Sequence, residues 1–594
     1  MRVAVMTSLA PAALVLLFAA CSVEELADSA AVPRVLNTCE VDADCGTTGL
    51  QRGMCGSGMC VASSGQVDTA FLEIVPPASA YYGAGDSFLV ALDGISRGSW
   101  TKDLSLARYA NLEGMITTTV NVLGEPPSDS CEQAFDASSQ SMRMHVEVSR
   151  SDALRGLPGL TVAANAERST GSTSWVFAAS VPAGTYDVYA TALAGCDADF
   201  PPLFATGQVL EPGDVKLELH VGALSTLAGI VSPPMKTTDE HVSLAGWTVS
   251  LVEPGQGKVI STTRKLNDSN PTNFELRYQP MADTVPLLQL VPPKDLVAPV
   301  VTWDLSVLDL DGDGQVQPSL STLDLATVQV SASVVGDDLE PVAGAAVRLR
   351  STGLLGAAQG LNARYEASAT ADGDGLVTVS LLPGTYQVVV TPPDRMGLSI
   401  TQAEWTIGRS PAVQAGRTVE VSPMPSVEGA VLDPIASRPI EGIAVSALPS
   451  ALNTAPYYER ILDPAPLVPR AASTITGQNG GFILGVDPGT VDIAAQPSEL
   501  SKFPWLVRAR VVVPGEPLGP MHISFPVPLA GTLRDPSGNP VQQARLRVFA
   551  VLDAKADNPS RGDPGLAGVL QVAEGRTDKY GAFTLLLPSD LQGE

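Results

Sequence analysis

Four kinds of residue pattern in this 594-residue chain could do chemistry. Gly94-Ile95-Ser96-Arg97-Gly98 matches the G-x-S-x-G of a hydrolase elbow and follows the apolar run Phe88, Leu89, Val90, Ala91 and Leu92. An elbow needs a helix behind it, a parallel sheet beneath it, and an acid and then a His later in the chain. The sequence offers no such surroundings, and among 54 glycines the match is of a kind that chance supplies. The four histidines, His145, His220, His241 and His522, stand in separate strand-like stretches with no H-E-x-x-H among them, so each reads as a strand residue rather than a metal ligand. Asp309-Leu310-Asp311-Gly312-Asp313-Gly314 begins like a calcium loop, with three alternating carboxylates and Gly at the sixth position for the sharp turn. Position twelve is Leu320 rather than a bidentate Glu, which excludes a complete EF-hand unless a distant acid replaces it. Asp309, Asp311 and Asp313 therefore form an acidic turn, the favoured reading, or a weak extracellular-type Ca2+ site that stiffens a connector. Asp372 and Asp374 make a simpler turn of the same kind, and no other cofactor is expected.

The seven cysteines carry the other chemistry. Met1 to Ala20 holds one base, Arg2, then the apolar run from Ala12 to Phe18 and the small residues Ala19 and Ala20, the pattern of a secretion signal. The stretch is too short for a comfortable membrane span. Leu17-Phe18-Ala19-Ala20-Cys21 resembles the bacterial lipobox, and the resemblance implies that Cys21 is acylated and becomes the mature terminus. Two or three acyl chains hold a protein stably on a membrane that it does not cross. With Ser22 next to that position, the outer membrane is favoured by the same resemblance, and which leaflet the protein faces stays open. Six thiols remain: Cys39, Cys45, Cys55 and Cys60 close together, and Cys131 and Cys196 apart. In an exported protein such parity favours disulfides, two in a small knot of open pairing and one closing a long loop. The rival zinc site would use shorter spacings than the five, nine and four residues between these thiols. The segment from Cys39 to Cys60 resembles the cysteine-rich modules that follow the anchor in bacterial surface lipoproteins.

These groups need elements to hold them, and composition limits which. Gly and Pro, 54 and 48 residues, leave little room for helices of ordinary length, while 45% hydrophobic residues suffice for several cores. A formal charge of -27 repels phosphate backbones, so nucleic acid is not an expected partner. Aromatics are only 5% of the chain, and the six tryptophans are spread thinly, which favours core packing over a sugar-stacking platform.

One pattern recurs along the body of the chain. Opening strands carry a Gly, as in Leu227-Ala228-Gly229, Val427-Glu428-Gly429 and Leu529-Ala530-Gly531. Second strands follow Pro341, Pro439 and Pro540, and internal turns appear at Ala371-Asp372-Gly373, Thr476-Gly477-Gln478 and Thr577-Asp578-Lys579. Late hairpins are expected at Pro182-Ala183-Gly184-Thr185-Tyr186, Pro383-Gly384-Thr385-Tyr386 and Pro488-Gly489-Thr490. Gly supplies positive φ in tight turns, Pro fixes corners, and alternating Val, Ile and Leu place one face of each strand on a core.

The pattern predicts an all-β chain of tandem antiparallel sandwiches. The expected layout is a signal at 1–20, the acylated Cys and a flexible tether at 21–38, a disulfide-rich module at 39–60, and sandwiches at 66–222, 223–329, 330–425, 426–527 and 528–594. The modules resemble carboxypeptidase regulatory-like domains, with an immunoglobulin-like or prealbumin-like fold. The resemblance covers 330–594 well, 223–293 loosely and 66–222 only at its end. It implies no catalytic residues and a role as spacer or binding surface. The chain is thus expected to be a non-enzymatic, lipid-anchored envelope protein acting as a stalk or adhesive array, its partners the membrane and an extracellular polysaccharide or cell-surface protein. The alternative is an accessory or carbohydrate-binding arm of a larger secreted hydrolase truncated at the C-terminus, its catalytic domain lying beyond Glu594. Four complete modules end to end would reach on the order of 150 Å, at roughly 35–40 Å each. The last copy stops at Leu585 to Glu594, where the others place their late hairpin: either the sequence is cut short there or this module is incomplete, and an unpaired sheet edge would then be exposed.

Overall fold

The computed structural model describes residues 47–48, 51–56, 59–62, 69–79, 82, 86–93, 100–101, 103–106, 109–118, 143–151, 157, 159–168, 174–192, 201–221, 224–235, 241–269, 271–281, 285–308, 314–358, 360–409, 413–450, 467–498, 501–552 and 568–589. It is an all-β chain of immunoglobulin-like sandwiches. A small antiparallel unit, β1 (Thr47–Thr48), β2 (Gln51–Gly56) and β3 (Met59–Ala62), precedes β4 (Thr69–Val75), β5 (Phe88–Asp93), β6 (Trp100–Thr101) and β7 (Leu104–Ser105). The first module contains β8 (Ala110–Thr118), β9 (Arg143–Arg150), β10 (Thr161–Arg168), β11 (Ser174–Val181), β12 (Gly184–Ala192), β13 (Leu203–Leu210) and β14 (Gly213–Val221). The second has β15 (Ser225–Val231), β16 (Thr248–Val252), β17 (Arg264–Lys265), β18 (Thr272–Tyr278), β19 (Leu287–Val291), β20 (Val300–Asp304) and β21 (Gln315–Val316).

The third module comprises β22 (Val328–Gly336), β23 (Ala346–Leu354), β24 (Asn362–Arg364), β25 (Glu366–Thr370), β26 (Leu376–Leu381), β27 (Gly384–Thr391), β28 (Thr401–Ile407) and β29 (Val413–Val421). The fourth runs through β30 (Ser426–Leu432), β31 (Ala444–Pro449), β32 (Ala472–Ile475), β33 (Gly481–Gly485), β34 (Gly489–Gln496), β35 (Leu506–Val513) and β36 (Gly519–His522). Four strands follow: β37 (Pro526–Arg534), β38 (Arg545–Leu552), β39 (Gly568–Arg576) and β40 (Ala582–Pro588).

Every module has the same wiring. Its first strand pairs antiparallel with the fourth and parallel with the last, as β30 does with β33 and β36, and as β22 does with β26 and β29 once β24, which pairs with β20 of the second module, is set aside. The other sheet has the order third, second, fifth, sixth, as in β32-β31-β34-β35. In the first module these two sheets are joined into one of seven strands by a short pairing of β10 with β11. A period of two in burial puts one face of each strand on the core, as in β22, where Val328, Val330, Ala332 and Val334 are buried.

The recurring motifs have local causes. Gly229, Gly429 and Gly531 stand opposite Phe274, Phe482 and Phe583 on the fourth strand, and Gly114 stands opposite Phe177. A Cβ on Gly229 or Gly429 would lie 2.5 or 2.7 Å from the facing ring, so the glycine makes room for the phenyl group. The Pro-Gly-Thr segments, expected as hairpins, are corners at which the chain changes sheets. β26 belongs to the sheet of β22 and β29, whereas β27 belongs to that of β23, β25 and β28. The Tyr of the motif fixes the corner by donating its hydroxyl hydrogen to the carbonyl four residues back: Tyr186 to Pro182 at 2.7 Å and Tyr386 to Leu382 at 2.8 Å.

The largest departure from the expected layout concerns both ends of the chain. β4 and β5 extend the sheet of β38 and β39 in the order β39-β38-β4-β5, and β6 and β7 run parallel to β37 beside β40. In the common wiring β37 to β40 are strands one to four, and β4, β5 and the broken strand β6–β7 are five, six and seven. The expected boundary at 66 therefore divides differently: residues 69–105 complete the sandwich of 526–589, and the first module begins at Ala110. The edge expected to be exposed after the fourth strand is covered. A second crossing occurs between neighbours, where β24 pairs with β20 of the second module, and one continuous core runs from Leu227 to Val421 through both sandwiches.

Candidate functional site: the closing seam and the module junctions

The closing seam is built around a buried carboxylate. β4 lies in register with β38, Val75 opposite Arg545 and Glu73 opposite Arg547. Glu73 is 1% exposed, accepts a hydrogen bond from the Ser87 hydroxyl at 2.9 Å and is ion-paired with Arg547. Paired in this way, the charge tolerates burial that would be prohibitive if it were alone. Arg150 of the first module donates to the Ser87 hydroxyl at 3.4 Å and also to the Ser87 carbonyl. On the core side Leu72, Ile74, Phe88 and Leu92 pack with Val527, Leu529, Leu546 and Val548. Burying an apolar side chain of this size contributes roughly 1.5–3 kcal/mol. On the other sheet the Thr532 amide and hydroxyl both donate to Asp103, at 3.2 and 2.7 Å. Tyr82, Phe88 and Tyr109 form an aromatic trio beside the link to the first module, with ring centroids 5.6 to 6.1 Å apart.

The remaining junctions are also specific. Between the first and second modules, Lys258 pairs with Glu147 at 2.5 Å and lies 4.6 Å from the centre of the Tyr189 ring. The Tyr189 hydroxyl donates to the Val259 carbonyl at 2.8 Å; burial, helped by the negative charge of Glu147, pushes its pKa up to about 12. Between the third and fourth modules, the Arg470 guanidinium bridges the two. It donates to Asp487 at 2.7 and 2.8 Å and, across the junction, to the carbonyls of Pro392 and Leu398 at 2.9 and 2.6 Å and to Asp394 at 2.8 Å. Asp487 also accepts from the Ile400 amide at 2.7 Å. Burial raises the Asp487 pKa, but the hydrogen bonds from Arg470 and from the Ile400 and Arg470 amides outweigh it and hold the carboxyl below its ordinary value. Between the fourth and closing modules, Ala494 and Val507 enter the closing core, and half-buried Trp505 packs against it.

The residues singled out from the sequence are distributed unevenly over this frame. Cys55 and Cys60 face each other across β2 and β3 and are disulfide-bonded, and Cys60 is packed into the closing core. Cys21, Cys39, Cys45, Cys131, Cys196, the Gly94 to Gly98 segment and Asp309, Asp311 and Asp313 lie outside the described residues. Leu320, at the position where a complete calcium loop would carry Glu, is fully buried in the shared core of the second and third modules. The Asp372 carboxylate accepts the amides of Asp374 and Leu376 at 3.0 and 2.9 Å, which accounts for an acid in that turn without a cation. Among the described residues no three His, Cys, Asp or Glu side chains form a group able to hold a metal ion. His145 lies 3.6 Å from Glu147, and His522 contacts the Ser437 hydroxyl at 3.0 Å, so these two belong to different modules. Trp405 is buried in its own sandwich as expected, whereas Trp505 packs against the core of a neighbouring module.

The seam residues Glu73, Ser87 and Arg547 and the junction residue Arg470 were not legible as a site. The available signal was one of arithmetic: the last copy lacks strands five to seven, and the alternating segments 69–75 and 88–93 precede the first complete copy with no partners of their own.

A scan against models of protein families matches none of them. No curated protein matches the chain. Solved structures do share similarity at low identity. A streptococcal ancillary pilin is 13% identical, with 50% of this chain and 98% of that one covered and a TM-score of 0.21. A minor pilin of Streptococcus agalactiae is 14% identical, covering 34% of this chain and 97% of its own, with a TM-score of 0.20. A major pilin subunit of Bacillus cereus is 10% identical over 53% of this chain and 99% of its own, with a TM-score of 0.13. The fold class of the present chain follows from its own sheets.

Proposed function

We propose that this chain is a non-catalytic surface lipoprotein, held to the outer membrane through Cys21, whose sandwiches form a binding or adhesive array for a polysaccharide or a cell-surface protein. In this reading the modules are of the carboxypeptidase regulatory-like kind and work as spacer and scaffold. One observation carries it: Glu73, Tyr386, Thr476 and Asp487, polar residues buried in the sandwiches and at their junctions, are engaged in fixing turns, corners and module contacts. Thr476 is typical, its hydroxyl accepting the Ile443 amide at 2.9 Å and donating to the Ile440 carbonyl at 2.8 Å. In this reading the tether that follows Cys21 leads into the β1–β3 unit, whose Cys60 and Ala62 pack into the closing core, so the closing module is the one nearest the anchor.

Two measurements test this. Cells grown with a labelled fatty acid are expected to label the wild-type chain and not Cys21→Ala; equal labelling would refute anchoring at Cys21. Purified protein is expected to be retained on envelope polysaccharide or whole cells without turning over ester, peptide or glycosidic substrates; hydrolysis that survives repurification would refute the non-catalytic role.

A further inference from the structure

We propose that the segment carrying β4 to β7 also serves as an exchangeable donor, which completes the closing module of a second copy of this chain and so links copies through the same seam that closes one copy on itself. The inference does not depend on the anchored-array reading. It rests on the division of one sandwich between chain segments far apart: Glu73 and Arg547, the buried ion pair of the seam, are separated by 474 positions. The donor emerges first in synthesis and the acceptor half last, so donor strands wait unpaired while acceptors of neighbouring copies finish. An acceptor without its donor exposes both a strand edge at β38 and the apolar face that Leu72 and Ile74 cover, a combination that recruits an incoming strand. The exchanged form keeps the pairing of β4 with β38 and the Glu73–Arg547 pair, and has to re-form or give up the contacts beside the link, those of Leu106 with Arg534 and of Tyr109 and Arg150 with the donor. Intramolecular closure has the advantage of a high effective concentration, so exchange grows with the density of copies.

The test uses full-length chains. One carries Val75→Cys and the other Arg545→Cys, positions opposite each other across the seam and neither in the core. The two are unfolded together and refolded with oxidised glutathione, which takes up the two hydrogens lost as the thiols join and is itself reduced. Exchange predicts a covalent dimer whose peptide map joins positions 75 and 545, with a yield that rises with protein concentration to about tenfold above that from mixing the chains already folded. The chain bearing both substitutions is expected to give the same link within a monomer, which establishes that both positions fold and meet. Efficient linkage in that monomer with no link between chains at any concentration would overturn the proposal.

Discussion

Individual side chains hold the modules in register, and their protonation decides how firmly. Asp487 is the clearest case: its lowered folded pKa means that its contribution is fully present above the unfolded value, about 3.9, and is lost as pH falls through the folded value. Wild type is therefore expected to lose its stability advantage over Asp487→Asn progressively as pH falls below about 4, as thermal melts of the two proteins over an acid series would show. At neutral pH, Asp487→Ala leaves Arg470 without its main partner at the junction and is expected to cost about 3–5 kcal/mol, measured by denaturant unfolding. At the sheet corner, Tyr386→Phe removes the bond to the Leu382 carbonyl and leaves that buried group unsatisfied, for a loss of about 1–3 kcal/mol in the same assay.

At the scale of the element, the motifs are solutions to close approach. The opening-strand glycine admits a phenyl ring from the fourth strand, so Gly429→Val is expected to force Phe482 out of place and to destabilise the fourth module by roughly 1–3 kcal/mol. Hydrogen exchange should localise the effect to β30 and β33, with the first module unchanged. The third module has Ala332 facing Val377 in place of Gly and Phe, a smaller pair that fills the same site without the glycine. The internal turn repeats a similar economy: Thr577 accepts the Ala544 amide at 2.9 Å and donates to the Val541 carbonyl at 2.6 Å, as Thr476 does one module earlier. The Pro-Gly-Thr segment read as a hairpin because its residue types suit any tight reversal. Its true role depends on which sheet receives the next strand, and turn chemistry does not encode that.

For the whole molecule, the shared closing module replaces a row with a loop. The chain leaves that module at Ser105 and returns to it at Pro526, so the four modules between them must bring their two ends to one body. A linear reach of about 150 Å for four complete modules is thereby excluded. Small-angle scattering of the full chain is expected to give a maximum dimension clearly below that of the row, and Glu73→Ala, which opens the seam, to enlarge it. The second and third modules share one core and are tied by the β20–β24 pairing, and so are expected to move as a unit. Flexibility should then concentrate at the other junctions and at the seam.

By itself the sequence determined the all-β class, the recurrence of the strand-and-turn pattern, where the chain reverses, and which face of each strand is apolar, because these follow from local sterics and a two-residue period. It also marked the last copy as lacking strands. Only the tertiary structure decided that β4 to β7 supply them, that Leu320 is a core residue of a joined pair of modules, and that Arg470 ties two sandwiches together. Strand pairing is satisfied by backbone groups that every residue carries, and so nothing in the local pattern of Thr69–Val75 says that its partner lies more than four hundred residues away.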